Sequence, residues 1–351
     1  MSIKKSICIA ACIASCVLTL GGCGTEQKST YDTAGIQTIE QNGSQESTAT
    51  VYAMDTTMTL KAIGSNSEKA VAESRAEIER LDGLFRRGSE SSEIYAVNNG
   101  KTDNVSDETA QVIGRALEVC SSTDGAFDIS IAPVMDLWGF YTKEFHVPSQ
   151  DEINEVLKKV DYHNIKRDGN KIELSNGVQM DLGGIAKGYT SAKIADIFKQ
   201  NDVVGIVSLG GNVQAAGTKP DGSLWRVAIQ NPDNESYIGS VSIADKAVIT
   251  SGGYQRFFEQ DGVIYHHIVD PKTGYPAESG LKSVTIISDD GTLADGLSTS
   301  LYVMGLEKTE EYWRANPNFD AVLVDDNGKV YVTEGAADIF KSDAAFEVIK
   351  H

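Results

Sequence analysis

Ile165-Lys166-Arg167-Asp168-Gly169-Asn170-Lys171-Ile172-Glu173-Leu174 reads as two short strands about an Asp-Gly turn. Val322-Leu323-Val324-Asp325-Asp326-Asn327-Gly328-Lys329-Val330-Tyr331-Val332 repeats the device with Asn-Gly. Both are hairpin signals, because such pairs accept the positive φ a tight turn demands. Working outward, strand patterns recur at 205–209, 225–230, 238–243, 263–269 and 281–288, and an opening strand spans Tyr52 to Ile63 with Met54, Thr56, Met58, Leu60 and Ala62 on one face. Helical periodicity covers Ser67 to Leu84, where Ala70, Ser74, Ile78 and Leu81 form the inner face, and recurs at 151–160, 185–199 and 293–304. Ser106, followed by Asp107 and Glu108, caps another helix. This mixture predicts an α+β fold of mixed, largely antiparallel sheets with flanking helices. Strict βαβ alternation and a Gly-x-Gly-x-x-Gly after a first strand are both missing, which argues against a dinucleotide-binding Rossmann domain.

The chain opens on Lys4-Lys5, an uncharged apolar run from Ile7 to Leu20, and Gly21-Gly22-Cys23. That is the pattern of an export signal over residues 1–22, too short to span a bilayer comfortably. The small residues before Cys23 resemble the bacterial lipobox, which implies a diacylated, palmitate-bearing Cys23 as the mature N-terminus. The expected location is extracytoplasmic, lipid-anchored to the bacterial cell membrane. Residues 24 to about 50 are rich in Ser, Thr, Gln, Gly and Glu, so 23–50 is expected to be the lipidated cysteine and a disordered tether, with the folded domain at 51–351. A flexible coil of about 27 residues reaches roughly 30 Å.

Four of the five cysteines, Cys8, Cys12, Cys16 and Cys23, fall in the signal or at its end. Only Cys120 remains, so no internal disulfide forms. It lies on a helical stretch with Val112, Ala116 and Val119 sharing one face, the setting of a small buried hydrophobe. The formal charge of −19 disfavours nucleic-acid binding, and it means that an anionic ligand needs local cations or a divalent ion.

Asp181-Leu182-Gly183-Gly184-Ile185-Ala186-Lys187-Gly188-Tyr189 is a glycine turn feeding a helix whose stripe is Ile185, Tyr189, Ala192, Ala195 and Phe198. Backbone N–H groups at such a start can meet an anion. Lys187 sits in the first turn, against the macrodipole, so its ammonium has a negative partner, either a bound ligand or Asp181. Asp295 and Thr299 are four apart, on a side of their helix away from Leu293, Leu297, Leu301 and Met304. They form either an oxygen site for a hard cation such as magnesium or a solvated face with a back-bonded threonine. His267 ends a strand and runs into the turn Asp270-Pro271-Lys272-Thr273-Gly274, where it can act as a base or donate to a phosphate oxygen, while His266 points to the other face. Ser208 to Asn212 and Thr250 to Tyr254 are two further strand-ending glycine turns. Zinc is a poor fit, since no His-Glu-x-x-His occurs.

These pieces, in this order, resemble the ApbE family of flavin transferases, the FAD:protein FMN transferases. The matching segments are Met54 to Met58, Gly125 to Ile129 with Pro133 and Leu137 to Phe140, Asp181 to Tyr189, Ser208 to Asn212, Ser251 to Tyr254, His267 to Gly274 and Ala294 to Thr299. The resemblance implies an enzyme that splits FAD at its pyrophosphate, transfers FMN through a phosphoester bond to a threonine or serine of an acceptor flavoprotein, and releases AMP. It implies magnesium held by the Ala186 carbonyl, Asp295 and Thr299, with FAD contacts at Met54, Ala126, Phe127, Asp128, Asp181, Lys187 and Ile268. It also implies a catalytic role for His267, and Asp270 is the alternative proton acceptor. Two departures stand out: Arg86-Arg87 where a ring-stacking aromatic is frequent, and Asp55 where glycine is frequent. The rival readings are a magnesium-dependent FAD pyrophosphatase giving FMN and AMP, and a non-catalytic FAD-binding lipoprotein.

Overall fold

Both glycine dipeptides sit at hairpin turns. Ile165–Asp168 pairs antiparallel with Lys171–Leu174 around Gly169 at φ 57°, and Asp320–Asp325 pairs with Val330–Thr333 around Gly328 at φ 80°. These come from a computed structural model of the chain, which describes residues 32–41 and 43–351. The expected signal and Cys23 lie outside the described residues. Among those described, no helix is long and apolar enough to cross a membrane.

The frame is a ten-stranded sheet in the spatial order Gln37–Gln41, Ser44–Ala53, Thr56–Ile63, Val204–Leu209, Asn212–Ala216, Ala247–Gly252, Leu281–Ser288, Asp320–Asp325, Val330–Thr333 and Phe346–Ile349. Every neighbouring pair is antiparallel except the last, which is parallel. The expected mixed, largely antiparallel α+β fold is therefore the observed one.

Alternation sends adjacent residues to opposite faces. Ile249 and Ile286 pack with Leu297 and Leu301 of the helix Gly291–Met304, while Val248 and Ile287 pack with Trp225, Val227 and Val241 of a three-stranded sheet on the far side. With both faces covered, Leu281–Ser288 buries every residue but Lys282. Helices Ser67–Phe85 and Ala186–Gln200 cover the N-terminal half of the helix-bearing face through Ala70, Ile78, Ile194 and Phe198. The helix Asp107–Ser122 begins at its expected cap, with the Ser106 hydroxyl accepting from Thr109 N–H. It buries Val112, Ala116, Val119 and Cys120, and burial pushes the Cys120 thiol well up, in keeping with a packing role.

Three expectations need correction. The opening strand is two strands, broken at Met54-Asp55, whose φ values of 47° and 58° make the two-residue turn between Ala53 and Thr56. The ordered body also starts before residue 51, since Gln37–Gln41 and Ser44–Ala53 are strands where a disordered segment was expected. Composition misled because the buried positions there include Ser47, fully buried and hydrogen-bonded to the Ser67 hydroxyl at 2.8 Å. The helix expected over 151–160 runs Gln150–Leu157, fixed by a Ser149/Glu152 capping box.

Candidate functional site

Two helices cross at a glycine. A Cβ on Gly188, in the first turn of Ala186–Gln200, would lie 2.2 Å from the Gly291 carbonyl oxygen and 2.5 Å from the Asp295 Cβ, so only glycine lets the two helices come this close. The contact brings the Gly188 N–H to Asp295 Oδ2 at 2.8 Å. The start of the glycine-turn helix has no side-chain cap. Ala186 N–H turns back to the Leu182 carbonyl and Gly183 N–H to Asp181 Oδ1, whereas the N–H groups of Gly184 and Lys187 meet no partner among the described residues. Such a terminus presents open donors and positive dipole to an anion.

Asp295 is 4 % exposed, yet its Oδ1 accepts no hydrogen bond among the described residues. One turn on, the Thr299 hydroxyl is 3.3 Å from the Ser251 hydroxyl, which also meets Ser298 at 2.8 Å. Of the two readings the solvated face does not hold: Asp295 is buried and Thr299 half-buried, turned against the neighbouring helix and the strand Ala247–Gly252. The Ala186 carbonyl accepts the Thr190 hydroxyl at 2.8 Å, and the same hydroxyl lies 3.8 Å from the Met54 sulfur, which brings Met54 to this helix start. A half-committed carboxylate, a hydroxyl and a carbonyl form an oxygen-only donor set, and it suits a hard cation that completes its shell with water and phosphate oxygens.

Lys187 is half-buried, and its ammonium donates to the Gly183 carbonyl at 3.1 Å without any ion pair among the described residues. Asp181 is not its partner. That carboxylate accepts from Arg87 Nε at 2.8 Å, while the same guanidinium grips Asp136 at 2.6 Å and lies 3.9 Å from the Tyr141 ring centroid. Burial works against the Arg87 charge, but the Asp136 and Asp181 contacts outweigh it and raise its pKa. Arg87 was not among the expected contacts, because nothing local in the sequence joins it to Asp181.

His267 follows the hairpin Phe257–Gln260 and Val263–His266. Its Nδ1 lies 3.1 Å from the Arg256 carbonyl, so that nitrogen carries the proton and Nε2 is left as acceptor. Burial, aided by the Arg256 and Lys187 charges, pushes this imidazole down to about 3. The Arg256 guanidinium is exposed and has no hydrogen bond or ion pair among the described residues. Ile268 is buried against the Gly291–Met304 helix, which ties the histidine segment to the same crossing. His266 turns the other way, edge-on to the Tyr302 ring at 5.6 Å, as expected.

Asp270 is engaged in its own turn: Oδ1 accepts Lys272 N–H at 2.9 Å and its carbonyl accepts Gly274 N–H at 2.8 Å. Asp128 is likewise committed, to Ser130 N–H, the Ser130 hydroxyl and Tyr162 N–H at 2.7, 2.6 and 3.0 Å. Burial raises its carboxyl despite those bonds. Phe127 and Ala126 are buried on the same loop, with the Phe127 ring packed over Gly184, where a Cβ would come within 2.7 Å of it. That loop therefore braces the glycine turn from below.

A buried carboxylate at a helix start with open donors, beside cations that have no counterion among the described residues, suits an anionic ligand. The chain belongs to the ApbE family, whose profile matches residues 54–323. It is 33 % identical over 298 residues to a Vibrio cholerae protein named FAD:protein FMN transferase, covering 80 % of this chain and 88 % of that one. A Treponema pallidum relative of the same name is 34 % identical over 246 residues, covering 65 % and 68 %. Among solved structures, the ApbE protein of Thermotoga maritima superposes with a TM-score of 0.80 at 32 % identity, over 84 % of this chain and 99 % of that one. The flavin transferase ApbE of Vibrio cholerae gives 0.77 at 28 % identity over the same shares.

Proposed function

We infer that this chain is a FAD:protein FMN transferase that moves FMN from FAD to a threonine or serine hydroxyl of an acceptor flavoprotein and releases AMP. The observation that carries the reading is the Gly188–Asp295 contact, which holds a buried carboxylate with one uncommitted oxygen at an open helix start next to Lys187, whose ammonium has no ion pair among the described residues. In a chain of formal charge −19, neighbouring cations that have no counterion among the described residues favour a polyanionic ligand such as a diphosphate.

Ala186, Asp295 and Thr299 would hold magnesium, which neutralises charge on the diphosphate when bound. The N–H groups of Gly184 and Lys187, open among the described residues, orient phosphate oxygens with the Lys187 ammonium and stabilise charge that grows on them. The acceptor hydroxyl oxygen forms its bond to the FMN-side phosphorus as the bridging P–O bond breaks, and AMP leaves with the electron pair. His267 Nε2 takes the hydroxyl proton. With its pKa pushed down to about 3 the His267 imidazole is a weak base, but the field of a bound diphosphate raises it towards the working range. Asp270, with Oδ1 already engaged, serves better as the clamp of the turn that carries His267.

We also propose that Cys23 carries the lipid and keeps the domain on the outer side of the cell membrane. Intact mass of the mature protein tests this.

The reaction is tested by incubating the chain with FAD, magnesium and an envelope extract, followed by mass spectrometry of the proteins. A single FMN adduct on a hydroxyl residue supports transfer. Free FMN and AMP without any adduct would mean that water is the acceptor, and FAD bound but uncleaved would leave only a carrier.

A further inference from the structure

The hairpin before His267 stands apart from the main sheet. Phe257–Gln260 and Val263–His266 pair only with each other, around Asp261-Gly262 at φ 54° and 80°. In such a two-residue hairpin the pairs Gln260–Val263 and Phe258–Tyr265 exchange their backbone hydrogen bonds, and the next such pair is Arg256–His267, where His267 N–H reaches the Arg256 carbonyl at 3.0 Å. The backbone N–H and C=O groups of Ile264 and His266 therefore point outward, and they meet no partner among the described residues. This is an open strand edge. Its first two side chains are open as well: Val263 is 50 % and Ile264 58 % exposed, an adjacent pair among the six exposed large hydrophobics of the described residues. The base of the hairpin is rigid, since the Phe258 ring stacks on Tyr265 at 5.2 Å and on Phe145 at 5.0 Å.

A rigid strand with a free edge, an apolar tip and a direct run into His267 has the features of a β-augmentation platform, on which main-chain bonds give affinity and alternate side chains give selectivity. We propose that the Val263–His266 edge is where the acceptor protein docks, by adding an extended segment that carries the hydroxyl residue as an extra strand against Ile264, which feeds that hydroxyl toward His267. This rests on the transferase reading, because it is that reaction which requires a second, polypeptide substrate at His267. The segment it fits is flexible before binding and has a small or apolar side chain to cover Ile264.

The test uses the full chain and the protein found to carry FMN after the wild-type incubation described above. Ile264→Pro removes the outward N–H without touching a bond inside the hairpin, Ile264→Lys keeps the N–H and removes the apolar contact, and Ile264→Val is the conservative control. The expected result is an acceptor KM raised about tenfold or more by Ile264→Pro, raised less by Ile264→Lys and near wild type for Ile264→Val. FAD affinity, read by flavin fluorescence quenching, stays unchanged in all three. An unchanged acceptor KM in both Ile264→Pro and Ile264→Lys overturns the proposal. Should Ile264→Lys instead abolish self-association in sedimentation, or binding to anionic phospholipid vesicles, with the acceptor KM unmoved, the occupant is a second copy or the membrane and the proposal fails. If the wild-type chain labels no protein at all, the transferase reading falls first, a result distinct from labelling that ignores the hairpin.

Discussion

The helix crossing and the histidine hairpin meet at one site but are built on opposite terms. At the crossing, Gly188 and Gly291 bring two helices into backbone contact and Asp295 is buried, so the geometry is set by packing. In the hairpin, strand edges and the tip residues Val263 and Ile264 are left to solvent, and only its aromatic base is fixed. The difference separates the two demands of a transfer reaction. Charge must be met by donors placed in advance in a closed setting, whereas a polypeptide substrate needs an open edge from which it can dissociate.

The sharpest way to break this contrast is Asp295→Asn, which keeps an acceptor for the Gly188 N–H but removes the charge. Transfer should fall several hundredfold, with a thermal midpoint close to wild type. Activity that survives in magnesium would show that the crossing is only structural. His267→Asn comes next, with kcat expected to fall about a hundredfold and the acidic limb of its pH profile lost, measured by steady-state transfer from pH 5 to 9.

The same variant has a stability signature. Native His267 stays neutral down to about 3 whereas an unfolded imidazole titrates near ~6.5, so the unfolded chain binds the extra proton and stability declines as pH falls from ~6.5 toward about 3. Replacing the ring should flatten that part of a denaturation series. Gly188→Ala should cost about 1–3 kcal/mol in urea unfolding, because its Cβ has no room beside the Gly291 carbonyl. The smallest expected effect is that of Arg87→Lys, about 1 kcal/mol, since a lysine cannot hold Asp136 and Asp181 together with one planar fork.

What could be read in advance followed the range of the physical signal. The inner face Ala70, Ser74, Ile78 and Leu81 is written in one helical period, and all four are fully buried. The hairpins at Gly169 and Gly328 are written in two residues each. Asp295 and Thr299 were recognisable by spacing, but not the reason Asp295 is buried, which is a glycine contact between helices about a hundred residues apart. Arg87 on Asp181 and Ser251 on Thr299 arise only when distant segments fold together. The strand around Ser47 escaped because a serine bonded to Ser67 in the interior is indistinguishable, by composition, from one in a solvated coil.

The large sheet has a seam between its first hairpin and the strands that follow. Thr56–Ile63 finds its inner strand neighbour in Val204–Leu209, so the first hairpin and the helix Ser67–Phe85 packed on it lack that edge partner until much of the polypeptide has been made. Fragments ending before residue 204 should behave as protease-sensitive chains rather than as half-domains. A copy still in synthesis therefore carries an unpaired inner strand edge until its second half arrives.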